Sequence, residues 1–292
     1  YTAPIGGIKQ GNYEPITRLI APTKIQIATV FGKFNPSEKT IVDFEAAISN
    51  NDLNLFSTID DNDNQGLAGK INAKQRLFTR KWQVDAFANY QFVQKEFRTI
   101  ERLYTIEFDR DWNLTLPTGN QSFLVSGLQF NLPEKGLLTY QLENLNFSNS
   151  FNGNRHSIIG AFKLNQWNIQ NKSSLMNSDG TTARSKFLRH QSQAKFHFKK
   201  NWIGGSLRAE NNQEKIKATG LLSALSQRFL EYGGFVGRGD STKVFMELGY
   251  LHRTNDSLQS GRLQRVNTSQ SYYLKSKLIQ NEKSDLSVFV NY

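Results

Sequence analysis

The chain predicts an all-β protein, an antiparallel up-and-down meander of about fourteen strands, on three observations. Period-two alternation of apolar and polar residues recurs in runs of roughly 8 to 15 residues. Clusters of Gly, Asn, Asp, Pro and Ser separate the runs, and helical periodicity is nearly absent. Short and long connections also tend to alternate, which suits strands that pair with their sequence neighbours.

Strands are expected to start near Lys24, Thr40, Gly66, Trp82, Tyr104, Gln121, Gly136, His156, Arg184, Trp202, Gln227, Thr242, Ser271 and Leu286. Residues 82–93, "WQVDAFANYQFV", show the pattern best. Alternate side chains of a strand point to opposite faces, so Trp82, Val84, Ala86, Ala88, Tyr90 and Phe92 form one apolar face, while Gln83, Asp85, Phe87, Asn89, Gln91 and Val93 form the other, which is mostly polar. In the preceding run Leu67, Ile71 and Leu77 oppose Lys70, Asn72, Lys74 and Arg76; further on, Ala194, Phe196 and Phe198 oppose Gln193, Lys195 and His197. Turn chemistry marks "NPSEK", "LPEKG", "HFKKNWIG", "GRGDST" and "NEKSD" as tight reversals. "NNDLNLFSTIDDNDNQ", "NKSSLMNSDGTTA" and "TNDSLQSGRLQRVNTSQ" are expected to be long polar loops, and "ATGLLSALSQRF" a loop with one helical turn.

The 292 residues suit one β domain over 1–292, a whole barrel or a piece of a larger one, with 1–22 as an N-terminal extension or extra strand. Without cysteine there are no disulfides and no thiolate-bound metal. No apolar run of about 18 residues offers a transmembrane helix. Tyr1 opens without a charged start and an apolar stretch, so no signal peptide is expected here. The formal charge of +11 raises nucleic-acid binding, but Lys and Arg are spread along strands instead of gathered in a patch, and no nucleic-acid partner is expected.

Alternating faces with short turns at one end and longer loops at the other describe an outer-membrane barrel. On that reading the 82–92 face meets lipid, and Lys70, Lys74, Arg76 and Lys195 face the lumen beside Asp43, Glu45 and Asp85. Trp82 and Trp202, each after a short basic turn, would share one membrane rim. The closing "LSVFVNY" sets Leu286, Val288, Val290 and Tyr292 on one face and ends on an aromatic, as such barrels commonly do. One count runs against the simplest barrel: a first strand rising from the periplasm would put the tight turns outside. Either 1–22 hides a strand, or the sheet is part of a larger one, or it is not in a membrane.

The segments "AAISNNDLNLFSTIDDNDNQGLAGK", "ALSQRF" and "GRGDSTKVFMELGY" resemble large β-rich outer-membrane and cell-envelope proteins of Bacteroidota. The resemblance implies an envelope location and carries no catalytic motif.

Other motifs are set against ordinary readings. Asp61, Asp63, Gln65 and Gly66 follow the start of a calcium loop, but position twelve is Asn72 where a bidentate Glu is needed, so an acidic solvated loop is expected and no metal. "GRGD" at Gly237–Asp240 reads as hairpin chemistry before adhesion. His190 and His197, seven apart, fall on opposite strand faces. No nucleophile elbow or phosphate-binding loop is present, and neither catalysis nor a cofactor is expected. Trp112, Trp167, Tyr272 and Tyr273 suit carbohydrate stacking, though packing is the commoner use. The expected role is a non-catalytic outer-membrane pore, translocon component or scaffold, in contact with membrane lipid or lipopolysaccharide and possible envelope proteins. The alternatives are a soluble β-sandwich or extended β domain that binds glycan or an envelope protein, and, third, an enzyme built on such a sheet.

Overall fold

The computed structural model describes residues 2–11, 20–59, 61–148, 150–240, 243–281 and 284–292. Fourteen antiparallel strands form one sheet in sequence order. They are β1 (Lys24–Ser37), β2 (Thr40–Asp52), β3 (Gln65–Thr79), β4 (Gln83–Val93), β5 (Gln121–Leu132), β6 (Gly136–Phe147), β7 (Phe151–Leu164), β8 (Trp167–Gly180), β9 (Ala183–Phe198), β10 (Asn201–Ile216), β11 (Gln227–Gly239), β12 (Phe245–Gln259), β13 (Arg262–Gln280) and β14 (Asp285–Asn291). The sheet does not close on itself, because β1 pairs only with β2 and β14 only with β13.

The strands are staggered as they are in a tilted barrel wall. One row of partners runs Val84, Phe130, Leu138, Gly160, Asn171, Ser192, Leu207, Tyr232. It starts at the second residue of β4 from the short-turn end and finishes eight residues from that end in β11. Every odd-to-even connection is short, so those turns share one end, and the other end carries the loops 53–64, 94–120 and 217–226 among tight hairpins.

Three expectations are corrected. No strand begins at Tyr104; a short helix, α1 (Phe108–Trp112), occupies that stretch and stops where Asn113 adopts a left-handed backbone (φ 50°, ψ 46°). Tyr104, Phe108 and Trp112 are spaced by four, which satisfies both a two-residue and a 3.6-residue period, so spacing alone could not choose. The polar stretch "NKSSLMNSDGTTA" is mostly β8, and "TNDSLQSGRLQRVNTSQ" is a hairpin whose turn is Ser260–Gly261, both with positive φ. Polar residues on both faces hid these strands; the Ser-Gly dipeptide was the available signal. "ATGLLSALSQRF" holds no helix, only a bridge from Lys215 to Leu222 before β11 begins. Within 1–22, Ile5 pairs with Ile8 around a Gly6–Gly7 turn and no strand lies among the described residues; the rest of that expectation falls on 12–19, outside them.

Register and period two sort the side chains into two faces. One presents Val30, Phe44, Ile71, Tyr90, Leu128, Tyr140, Ile158, Trp167, Leu188, Leu207, Tyr232, Leu248, Tyr272 and Val290 in turn from β1 to β14, all exposed. The other carries the charges of the strand centres and, among the described residues, the one buried apolar cluster. The sheet curls around this second face: Lys195 of β9 reaches Glu247 of β12 at 3.7 Å, although three strand spacings span about 14 Å in a flat sheet. We call it the inner face.

Candidate functional site

The inner face is occupied by the loop 94–120, which leaves the long-loop end and lies across the sheet. Its backbone N–H at Arg98 donates to Ser49 Oγ of β2 at 3.0 Å. Tyr104 donates to Gln91 of β4 at 2.9 Å and accepts from Gln121 of β5, its ring stacked on Phe108 at 3.9 Å. Burial pushes the Tyr104 phenol up to about 12. Asp111 pairs with Arg189 of β9 at 2.7 Å, and Asn113 exchanges two amide hydrogen bonds with Asn212 of β10 at 2.8 and 3.0 Å.

Helical spacing turns Phe108 and Trp112 to one side, down onto the sheet. Trp112 is fully buried among Leu145, Phe151, Met176 and Phe187. Gly153 makes room for the indole, since a Cβ there would stand 2.9 Å from a Trp112 ring carbon. Above it the Arg155 guanidinium lies 4.4 Å from the ring centroid and pairs with buried Glu143. Beside α1 opens a cavity of about 370 Å³ lined by Asp111, Glu143, Arg155, Lys172, Arg189 and Glu210, among others. Arg189 spends one Nη on Asp111; its Nε and other Nη are buried without a hydrogen-bond acceptor, Glu210 standing 3.9 Å away. The cavity wall is thus mostly polar or charged, with acids and bases interleaved.

The basic residues expected to face inward do so, but in two places and each beside a carboxylate. Lys70 pairs with Glu45 at 2.7 Å, while Lys74 and Arg76 share Asp85 at 2.9 and 3.3 Å. Asn72 donates to Asp43 at 2.5 Å. With Lys33 of β1 opposite Asp43, four cations stand among three carboxylates, so this arc is nearly balanced. Lys195 lies apart, over the Trp202 and Phe235 rings at 5.0 and 5.4 Å and near Glu247. Among the described residues the inward strand lysines Lys33, Lys163, Lys172 and Lys275 have no carboxylate within 4 Å, so the surplus of inner positive charge sits on them and not on β3.

Val84, Ala86, Ala88, Tyr90 and Phe92 take the outer face, in register with Phe130, Leu128, Ser126, Leu124 and Ser122. Trp82, one residue before β4, is half-exposed at the short-turn end. Trp202 is at that end too but not at a rim facing out: it is buried on the inner face, donating from Nε1 to Glu247 at 2.7 Å, with Gly237 leaving space for its ring. Parity explains the difference, for Trp202 is paired with inward His197. A bulge between Arg76 and Phe78 displaces Leu77 from the outer row and puts Phe78 opposite Val84. Of the stacking candidates, Trp112 is core, Trp167 lies outside against Phe196 (5.0 Å), Tyr272 outside against Tyr250 (5.2 Å), and Tyr273 donates inward to Glu247 at 3.3 Å.

Asp61 accepts from the Asn64 side chain at 2.9 Å within a 3₁₀ turn (Asp61–Asp63), and Gln65 already belongs to β3. Among the described residues no three His, Asp or Glu side chains converge as metal ligands do. A Ser–His contact unseen in the sequence, because β8 was read as a loop, joins Ser173 to His190 at 2.9 Å on the outer face. That contact uses Nδ1, the nitrogen that hydrolytic triads give to a carboxylate, while Nε2 meets Ser192 at 2.9 Å. His197 lies on the inner face instead, as odd spacing requires. The chain matches no protein-family model and no curated protein.

Proposed function

We propose that the chain is the wall, or a section of the wall, of a bacterial outer-membrane β-barrel, acting without catalysis as a pore, translocon component or envelope scaffold. One observation carries this reading: the outer face presents at least one exposed large apolar side chain on every strand and is charge-free except near its ends. Water-soluble proteins rarely expose apolar patches beyond a few hundred Å². The strands, most of 11 residues or more, exceed the 9–11 or so that a tilted strand needs to cross a bilayer. Phe34, Phe78, Trp82, Phe130, Phe162, Trp167 and Phe198 gather on the outer face near the short turns, where an interfacial aromatic belt belongs.

The inserted loop 94–120 narrows the passage, and the unpaired inner lysines bias what enters it toward anions, weakly because most inner charges are paired. Solubility tests the reading. The chain is expected to need detergent or lipid to stay dispersed and to resist protease across its strands once in vesicles; a monomeric, β-rich chain in plain buffer overturns it. In planar bilayers a reversal potential across a salt gradient reports the anion bias, and Lys172→Glu with Lys275→Glu should move it further than Lys74→Glu with Arg76→Glu.

A further inference from the structure

Charge on the outer face is confined. From β1 to β14 the outward positions carry no Lys, Arg, Asp or Glu except Arg238 near the short turns and a set within about four residues of the long-loop end. On β8 to β13 and the adjoining loop that set is Arg184, Lys186, Lys215, Lys217, Arg228 and Arg265 against only Asp179 and Asp256.

The two carboxylates are already spent. Asp256, almost fully buried, receives Arg228 at 2.5 Å and Arg265 at 2.6 Å, while both arginines stay half-exposed. Asp179 receives Arg184 at 3.1 Å and also Lys217. Each group is one acid between two cations and keeps a net positive charge. Arg184 and Lys215 are direct cross-strand partners, a like-charge pair that destabilises a sheet unless an anion lies between. Lys186 opposes Gln213, with no acid within 4 Å among the described residues. Immediately toward the sheet centre the exposed Leu188 and Leu230 begin the apolar band.

We propose that this rim binds the phosphate groups of membrane lipids. The inference rests on the barrel reading and adds a defined contact to it. Guanidinium and ammonium groups pair with phosphate oxygens through charge-assisted hydrogen bonds, arginine in two-pronged fashion. Cations just outside an apolar band stand at headgroup depth, so a lipid seats its phosphate on Arg184, Lys186 and Lys215 and lays its chains along Leu188, Leu230 and Leu207. The adjoining apolar wall is what selects a lipid over a free phosphate ion.

The test uses the full chain in neutral detergent, titrated by native mass spectrometry with a diphosphorylated lipid A, the same lipid stripped of phosphates, and inorganic phosphate. The phosphorylated lipid should bind much more tightly than the stripped one, and millimolar inorganic phosphate should not displace it. The triple variant Arg184→Gln, Lys186→Gln, Lys215→Gln should weaken it about 100-fold, from roughly fivefold per cation at a membrane surface. Arg238→Gln at the opposite end should change nothing. Equal binding of the stripped lipid, or an unaffected triple variant, overturns the rim site; displacement by inorganic phosphate makes it an anion site and overturns the lipid. Protease protection in vesicles is read in parallel. A chain that inserts but shows no phosphate preference refutes only the rim, whereas one that fails to insert refutes the barrel as well.

Discussion

The loops 53–64 and 94–120 leave the same end of the sheet and meet opposite fates. The first bonds to its own turns, the end of β2 and the segment just before β1: Asn54 N–H to Asp52, Ser57 N–H to the Asn54 carbonyl, Leu55 N–H to the Pro22 carbonyl. Its Phe56 and Ile59 stay 79% and 90% exposed. The second is anchored from Ser49 on β2 to Asn212 on β10 and buries Trp112 completely. Apolar content does not separate them, since both hold large apolar side chains. What differs is partners: Asp111, Asn113 and Tyr104 find Arg189, Asn212, Gln91 and Gln121, whereas Asp61 finds only its own turn. An apolar loop is buried when its polar groups are satisfied where it lands.

Trp112→Ala breaks this contrast most strongly. Emptying a filled site and removing the ring under Arg155 should cost about 3–5 kcal/mol, read by denaturant unfolding in detergent, and Phe56→Ala on the exposed loop less than about 0.5. Similar losses at the two sites would show that loop 94–120 does not lie on the sheet. The wall that bears both loops is tested next. Arg at Ala88, near the middle of β4 on the outer face, should cost about 2–4 kcal/mol in a bilayer, and Arg at its neighbour Asn89 far less. Equal tolerance would mean that the two faces do not see different solvents.

A smaller effect comes from the anchor. Asp111→Asn removes a charged acceptor from partly buried Arg189 and should destabilise the docked loop by about 1–2 kcal/mol, raising protease cleavage within 94–120. Glu107→Gln, which touches only the exposed Arg110 pair at 3.0 Å, should leave cleavage unchanged. Alkaline pH probes the same docking. Because burial raises the folded-state phenol of Tyr104 to about 12, above the ordinary 10.0 of a free phenol, its contribution is full below pH 10 and lost as pH rises through 12. Cleavage of the loop should therefore rise between those values, and Tyr104→Phe should remove that rise. Weakest of all is the acidic turn of loop 53–64: calorimetry should find no calcium binding tighter than about 1 mM, and binding abolished by Asp61→Asn with Asp63→Asn would contradict the local reading of that loop.

Strand identity was legible wherever alternation was strong, as in β4, where Ala88 and Asn89 fall on the faces their parity dictates. It was lost in β8, whose Lys172 and Ser174 on the inner face and Asn171, Ser173 and Asn177 on the outer leave little apolar contrast between the faces to read. The inward basic residues were legible too, but not their partners. Asp85 lies on the next strand from Lys74 and Arg76 and meets them only through register, and the carboxylate beside Lys195 comes from β12.

By itself the sequence determined the local alternatives. Period two in β-branched and aromatic runs makes extended chain, Gly and Asn at positive φ make reversals, and together they specify an antiparallel meander with one apolar and one polar face. Which way Trp202 points, that residues 108–112 are helix and not strand, and that Trp112 rests on Gly153 were decided by the tertiary structure. Those outcomes depend on how strands far apart in sequence slide past one another, and on which inward groups the curl of the sheet brings within hydrogen-bonding distance. No single segment carries that information, since it exists only after neighbouring strands have set their register.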